Sequence, residues 1–137
     1  MSIEISTDPS RIDVSLVHDF LSNSYWAKGR PREVVERSIA HSLCFGAYEG
    51  GNQVAFARLI TDRAVFAYLA DVFVVPDHRG RGIARLLLGA ILEHPDIKGL
   101  RVIRLGTRDA HGLYAKFGFT SMVSTERSME LFLDALE

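Results

Sequence analysis

Apolar residues recur at helical spacing from Pro9 to Ser22, with Ile12, Leu16 and Phe20 falling on one side. A short first strand, Ile3 to Ser6, precedes them. The segment Ser24-Tyr25-Trp26-Ala27-Lys28-Gly29-Arg30-Pro31 breaks the pattern and reads as a loop. Arg32 to Ser42 returns to helix, with Val34, Val35, Ser38 and Ile39 on one side. From Leu43 the period changes. Leu43 to Glu49 and Gln53 to Thr61 read as two strands joined by the turn Glu49-Gly50-Gly51-Asn52, a strong hairpin signal. Val65 to Val75, dense in β-branched and aromatic residues, is the next strand, and Pro76 ends it. Gly82 to His94 is the clearest helix, with Ile83, Leu87, Ala90 and Ile91 forming its apolar stripe. Arg101 to Gly106 reads as a strand and Asp109 to Phe117 as a short helix closed by Gly118. One or two further strands are expected from Phe119 onward.

Consecutive strands joined by tight turns pair antiparallel, whereas the helix between Val75 and Arg101 can carry a parallel crossover. The expected class is therefore α/β: a mixed, mostly antiparallel central sheet with helices on both faces. At 137 residues, with no repeat, low-complexity tract or linker, the chain is expected to form one domain spanning residues 1–137.

Composition narrows the partners. A formal net charge of −1 removes the simplest case for nucleic-acid binding. The N-terminus lacks the basic and apolar regions of a signal peptide, and no run approaches a membrane span, so a cytoplasmic location without membrane attachment is expected. The single cysteine, Cys44, lies in the apolar run Leu43-Cys44-Phe45 and is expected to be a buried, inert thiol. His18, His41, His78 and His94 show no metal-ligand spacing, so no metal is expected.

The most informative segment runs from Val72 to Ala84. A strand ends at Pro76, the turn Asp77-His78-Arg79-Gly80-Arg81-Gly82 comes next, and an apolar helix starts at once. Glycines let a backbone approach a ligand closely, and a helix N-terminus offers unpaired N–H groups with a positive dipole end. Arg79 and Arg81 add charge where an anion would sit. The turn is not a P-loop, since no Lys-Ser or Lys-Thr follows the last glycine. It is not a dinucleotide fingerprint either, because the third glycine is missing. A plain connector is the competing reading.

Arg79-Gly80-Arg81-Gly82-Ile83-Ala84 resembles the Arg/Gln-x-x-Gly-x-Gly/Ala signature of the GNAT superfamily of acyl-CoA-dependent N-acyltransferases. Val72-Phe73-Val74-Val75-Pro76 looks like that family's fourth strand, and Leu113-Tyr114-Ala115-Lys116-Phe117-Gly118-Phe119 is similar to its Tyr-x-x-x-Gly-Phe ending. The element order matches along nearly the whole chain. The resemblance implies acetyl-CoA as cosubstrate, with backbone N–H groups from about Arg81 to Ala84 on its pyrophosphate. It further implies backbone donors near Phe73 and Val74, freed by a strand bulge, for the thioester carbonyl. Val75, Thr107 and Phe117 complete the expected cofactor contacts, Thr107 standing where relatives often carry an asparagine.

Acetyl transfer needs a neutral amine, a polarised carbonyl and a leaving thiolate. The resemblance makes Tyr114 the acid that protonates the departing sulfur; the alternative is a packing tyrosine. Asp71, a carboxylate inside an apolar strand, either binds or deprotonates a cationic amine or is a structural acceptor of backbone or arginine hydrogen bonds. Tyr68 occupies the place where some relatives carry a glutamate base, so that base does not transfer and water-mediated deprotonation stays open. Asp109 is expected to cap its helix rather than do chemistry. In the loop between the first two helices, Trp26 either stacks on substrate or anchors the loop, and Arg30 either meets a substrate carboxylate or is solvated.

The expected activity is direct transfer, in a ternary complex, to a primary amine of a small molecule or amino-acid-like acceptor. A protein N-terminal or lysine acetyltransferase and a non-catalytic acyl-CoA-binding module are the alternatives. A homodimer is common among relatives, and the apolar tail Leu131-Phe132-Leu133 suits either a partner or the end of the core.

Overall fold

The computed structural model describes residues 2–133 and falls into two compact units, Met1–Gly106 and Thr107–Glu137. In the first, strand β1 (Glu4–Ser6) leads to a single 3-10 turn (Pro9–Arg11) and helix α1 (Val14–Ser22). The expected helix from Pro9 is thus divided. Asp8 caps the 3-10 turn, Ile12 is extended, and Asp13 starts a new helix by accepting the Leu16 N–H at 3.1 Å. Helix α2 (Arg32–Ala40) follows Pro31, whose extended backbone sets the boundary. Val35 is its buried residue, while Val34, expected beside it, is largely exposed.

Strands β2 (Leu43–Glu49), β3 (Asn52–Thr61) and β4 (Phe66–Val74) form a meander, and β5 (Val102–Leu105) joins β4 in parallel after helices α3 (Ile83–Glu93) and α4 (Pro95–Lys98). The sheet order is β1-β2-β3-β4-β5, antiparallel throughout except for the β4–β5 pair. This is the mixed, mostly antiparallel sheet that the period changes predict.

Both faces are covered because neighbouring strand residues point oppositely. Cys44, Phe56 and Phe73 pack with Val17 and Leu21 of α1 and Val35 of α2 in one cluster. Phe45, next to Cys44, points the other way and meets the His94 ring edge-on at the end of α3. Helix α3 buries Ile83, Leu87, Leu88 and Ile91, a stripe at the period its sequence shows. Cys44 is buried and its thiol pushed up to about 12 by desolvation, as expected of an inert cysteine.

The second unit holds helix α5 (His111–Ala115), shorter than expected. Gly118 closes it with φ of 94°, and Phe119 returns its N–H to the Tyr114 carbonyl. Asp109 does not cap it. Ala110 holds the cap position, and its N–H goes to the Thr107 hydroxyl at 3.0 Å. No strand follows Phe119 among the described residues; the rest of that expectation lies beyond Leu133. Leu131, Phe132 and Leu133 are exposed rather than part of the core.

Phe56 is fully buried in the cluster under α1 and α2, whereas Leu86 of α3 is half-exposed. Phe56→Ala is expected to cost about 3–5 kcal/mol in urea unfolding. Leu86→Ala is expected to stay within about 0.5 kcal/mol of the parent.

Candidate functional site

Strand β4 is irregular at one point. Phe56 pairs with Phe73 and Arg58 with Ala70, so β4 carries one residue more than β3 between these pairs. The extra length is absorbed at Asp71, whose φ is +55°. Asp adopts this left-handed backbone more readily than most non-glycine residues do. The bulge brings Asp71 to the face that carries Arg58 and Phe73.

There the Asp71 carboxylate is almost fully enclosed and has its oxygens occupied. Oδ1 accepts the Trp26 indole N–H at 3.0 Å. Oδ2 accepts Arg30 Nη1 at 3.0 Å and Arg58 Nε at 2.9 Å. Arg58 also donates to the Ser42 hydroxyl at 3.2 Å. Two of the residues expected at the acceptor site are therefore bound to a third, and the loop between α1 and α2 is moored to the bulge. The loop's own backbone is ordered as well: the Ser24 hydroxyl receives the Ala27 N–H, and Gly29 N–H bonds the Ser22 carbonyl.

Beyond the bulge, β4 and β5 separate. Their pairing runs only from Phe66↔Val102 to Leu69↔Leu105. Val75 donates its N–H to Val54 at 2.9 Å, so the Val74 amide, one residue out of phase, faces the edge that β5 has left. By the same alternation the Phe73 amide faces β3. Among the expected backbone donors on this strand, Val74 is the one aimed at the open edge. Phe73 contributes its ring, stacked on Phe20 at 4.0 Å.

The turn after β4 has the backbone its glycines suggest. Gly80 and Gly82 both have positive φ, +79° and +77°, and Gly82 sits at the N-cap of α3. A Cβ at either position would meet nothing within 4 Å, so the turn presents open space. The first backbone bond of α3 is Leu86 N–H to Gly82, which leaves the amides of Ile83, Ala84 and Arg85 as the helix's N-terminal donors. The two arginines are placed differently from the expected charge around an anion. Arg79 donates Nε to the Val74 carbonyl at 3.0 Å, with its guanidinium 6.0 Å from the Phe20 ring. Arg81 pairs through both terminal nitrogens with Glu49, the last residue of β2. His78 Nε2 lies 3.0 Å from the same carboxylate. These contacts, Arg81 foremost, hold the Glu49 carboxyl down from 4.5 to about 2.

A cleft of about 580 Å³ opens beside this turn. Leu16, Phe20, Tyr25, Trp26, Val75 and Pro76 supply apolar and aromatic walls, with Asp19 and Arg79 the charged residues of the lining. Trp26 meets both Phe20 and Tyr25 ring to ring. Arg30, Asp71 and Tyr68 are not in the lining. The Tyr68 hydroxyl instead lies over Gly106, where a Cβ would approach it to 3.2 Å.

In the second unit Tyr114 is buried in α5, its ring edge-on to Phe119 at 5.8 Å. Thr107 accepts the Ala110 N–H, and Phe117 is half-buried at the end of the helix. No cluster of three or more metal-ligating side chains occurs among the described residues, and none of their helices is long and apolar enough to cross a membrane.

Sequence reasoning passed over Glu49 and considered His78 only as a metal ligand. A glutamate at a hairpin tip carries no signal of its own. Its meaning appears only when the register of β2 and β3 sets it against the turn after β4.

A family model described as an acetyltransferase (GNAT) domain matches residues 40–121. A Gibberella zeae protein named as a candidate acetyltransferase is 31% identical over 135 residues, covering 82% of this chain and 75% of its own length. A crystal structure from Xanthomonas campestris pv. campestris, described as a candidate acetyltransferase of the GNAT family, superposes with a TM-score of 0.94 at 51% identity, covering 97% of this chain and 94% of that one. A Staphylococcus aureus structure, 19% identical with a TM-score of 0.73 over 98% of this chain and 100% of its own, shares the fold.

The charges at these two carboxylates lead to two expected outcomes. Asp71→Ala leaves two guanidiniums without their carboxylate, so a loss of about 3–5 kcal/mol in urea unfolding is expected. Asp71→Asn, which keeps an acceptor and a tolerant backbone, should lose less. Glu49 has a folded pKa below its ordinary value, so its ion pairs stabilise the fold above about pH 4.5 and cease to as pH falls towards about 2. The thermal midpoint of Glu49→Gln is accordingly expected to trail the parent at neutral pH, with the gap closing through that acid window.

Proposed function

The chain belongs to the GNAT acetyltransferases, and we propose that it transfers the acetyl group of acetyl-CoA directly to the primary amine of a small, amino-acid-like acceptor. The observation that carries this reading is the continuous run from the Asp71 bulge to the glycine turn. It supplies a backbone donor at Val74 on an open sheet edge and, a few residues on, a helix N-terminus with an unobstructed approach. Such preorganised amides suit a thioester carbonyl whose oxygen gains charge as the tetrahedral intermediate forms. The amides from about Arg81 to Ala84 suit a pyrophosphate.

The reaction balances without a metal. The neutral amine nitrogen attacks the thioester carbon, a C–N bond forms, the C–S bond breaks, and the ammonium proton leaves to water. Tyr114 is assigned, by its match to the family's tyrosine, as the acid that protonates the coenzyme A thiolate. Asp71 is assigned as a positioning residue rather than the base, because its oxygens already serve Trp26, Arg30 and Arg58. Its task is to hold the bulge and the acceptor loop in one arrangement. The aromatic cleft beside the turn, about 580 Å³ and walled by Phe20, Tyr25 and Trp26, is the candidate acceptor site.

The test is release of coenzyme A thiol from acetyl-CoA across a panel of amines, amino acids and N-terminal peptides. Turnover with a small amine and none with peptides is the expected pattern; peptide turnover alone would overturn the acceptor assignment. With the best acceptor, Tyr114→Phe is expected to lower kcat on the order of a hundredfold. An unchanged kcat would remove Tyr114 from the chemistry.

A further inference from the structure

We propose that Glu49 is a positioning residue for donor binding, holding Arg81 and His78 from the β2–β3 hairpin and thereby fixing the glycine turn between them. The inference rests on the reading of that turn as the coenzyme A pyrophosphate site.

On the helix side the turn is held at Gly82, the N-cap of α3, whose carbonyl accepts the Leu86 N–H. Gly80 and Gly82 are exposed, and a Cβ added at either would meet nothing within 4 Å. On the strand side it is tied down by His78 N–H to the Val75 carbonyl, Arg79 N–H to Pro76, and the Arg79 side chain to Val74. Those bonds stop at Arg79. Between Arg79 and Gly82, Gly80 is free to visit left-handed and right-handed backbone with little preference, so its amide direction calls for a restraint from outside.

Glu49 provides that restraint on both sides of Gly80, taking His78 before it and Arg81 after it. Its own position is rigid, since Glu49 pairs with Asn52 at the closed end of the β2–β3 ladder. A carboxylate next to a phosphate site would ordinarily weaken anion binding. Here its charge is met by Arg81, so recognition passes to backbone amides whose directions are set before the ligand arrives. Ordering a loop in advance removes a cost that binding would otherwise carry.

The experiment is a titration of the full chain with coenzyme A, followed by backbone amide resonances, for the parent, Glu49→Ala, Arg81→Ala and the double variant. The parent is expected to show shifts at Gly80, Gly82 and Ala84. Glu49→Ala is expected to weaken coenzyme A by about tenfold and to lower the amide order parameters of Gly80 and Gly82 in the free protein. The double variant is expected to lose no more than about the loss of Glu49→Ala alone, because the contact that Arg81→Ala breaks is one of the two that Glu49→Ala breaks. Arg81→Ala approaches the same pair from its other side, so the conclusion does not depend on one variant folding. Equal or tighter binding by Glu49→Ala, or losses that multiply in the double variant, would overturn the role of Glu49 while leaving the turn's assignment intact. A parent titration that moves no amide in the turn would overturn the assignment itself.

Discussion

Much of this structure depends on the buried carboxylate of Asp71 and the left-handed backbone that delivers it. An unpaired carboxylate there would be costly, and a bulge in the middle of a sheet sacrifices pairing. The two are resolved together. The bulge turns Asp71 towards Arg58, Arg30 and Trp26, and those donors in turn hold the bulge open. Because Arg30 and Trp26 come from the loop after α1, one interaction joins the middle of the sheet to the wall of the aromatic cleft.

The same irregularity sets the course of the chain from Val72 to the glycine turn. Past Asp71, β4 keeps its bonds to β3 but no longer pairs with β5, so the Val74 amide faces an open edge. Two residues later the chain enters the glycine turn, and the Arg79 side chain returns to the Val74 carbonyl. The Val74 amide and the N-terminal amides of α3 thus lie on consecutive stretches of one segment, near the side-chain contacts of Asp71 and Glu49. Arg81 and Arg30, which look from the sequence like ligand contacts, pair with Glu49 and Asp71.

The fold was legible where period and punctuation agreed. The β2–β3 hairpin is implied by Glu49-Gly50-Gly51-Asn52 between two alternating runs, and α3 by its stripe after Gly82. Boundaries differ where a local cap competes with an apolar pattern, as at Asp13, which caps α1 and separates it from the 3-10 turn at Pro9. At the site, the glycine turn was legible because backbone geometry demands particular residues. The partners of Asp71 were not: Trp26, Arg30 and Arg58 lie 45, 41 and 13 residues away, and they meet only through the packing of the α1–α2 loop and the register of β3 and β4. Glu49 was hidden for the same reason. Main-chain donors such as Val74 leave no trace in the sequence, since any residue can supply them.

The most direct measurement is a crystal structure of the chain with acetyl-CoA. The thioester oxygen is expected within hydrogen-bonding distance of the Val74 amide, and the pyrophosphate on the amides from about Arg81 to Ala84. Asp71 is expected to remain joined to Trp26, Arg30 and Arg58. Acetyl-CoA bound with its thioester away from the β4 edge, or with Asp71 released from its arginines to meet the ligand, would contradict these assignments.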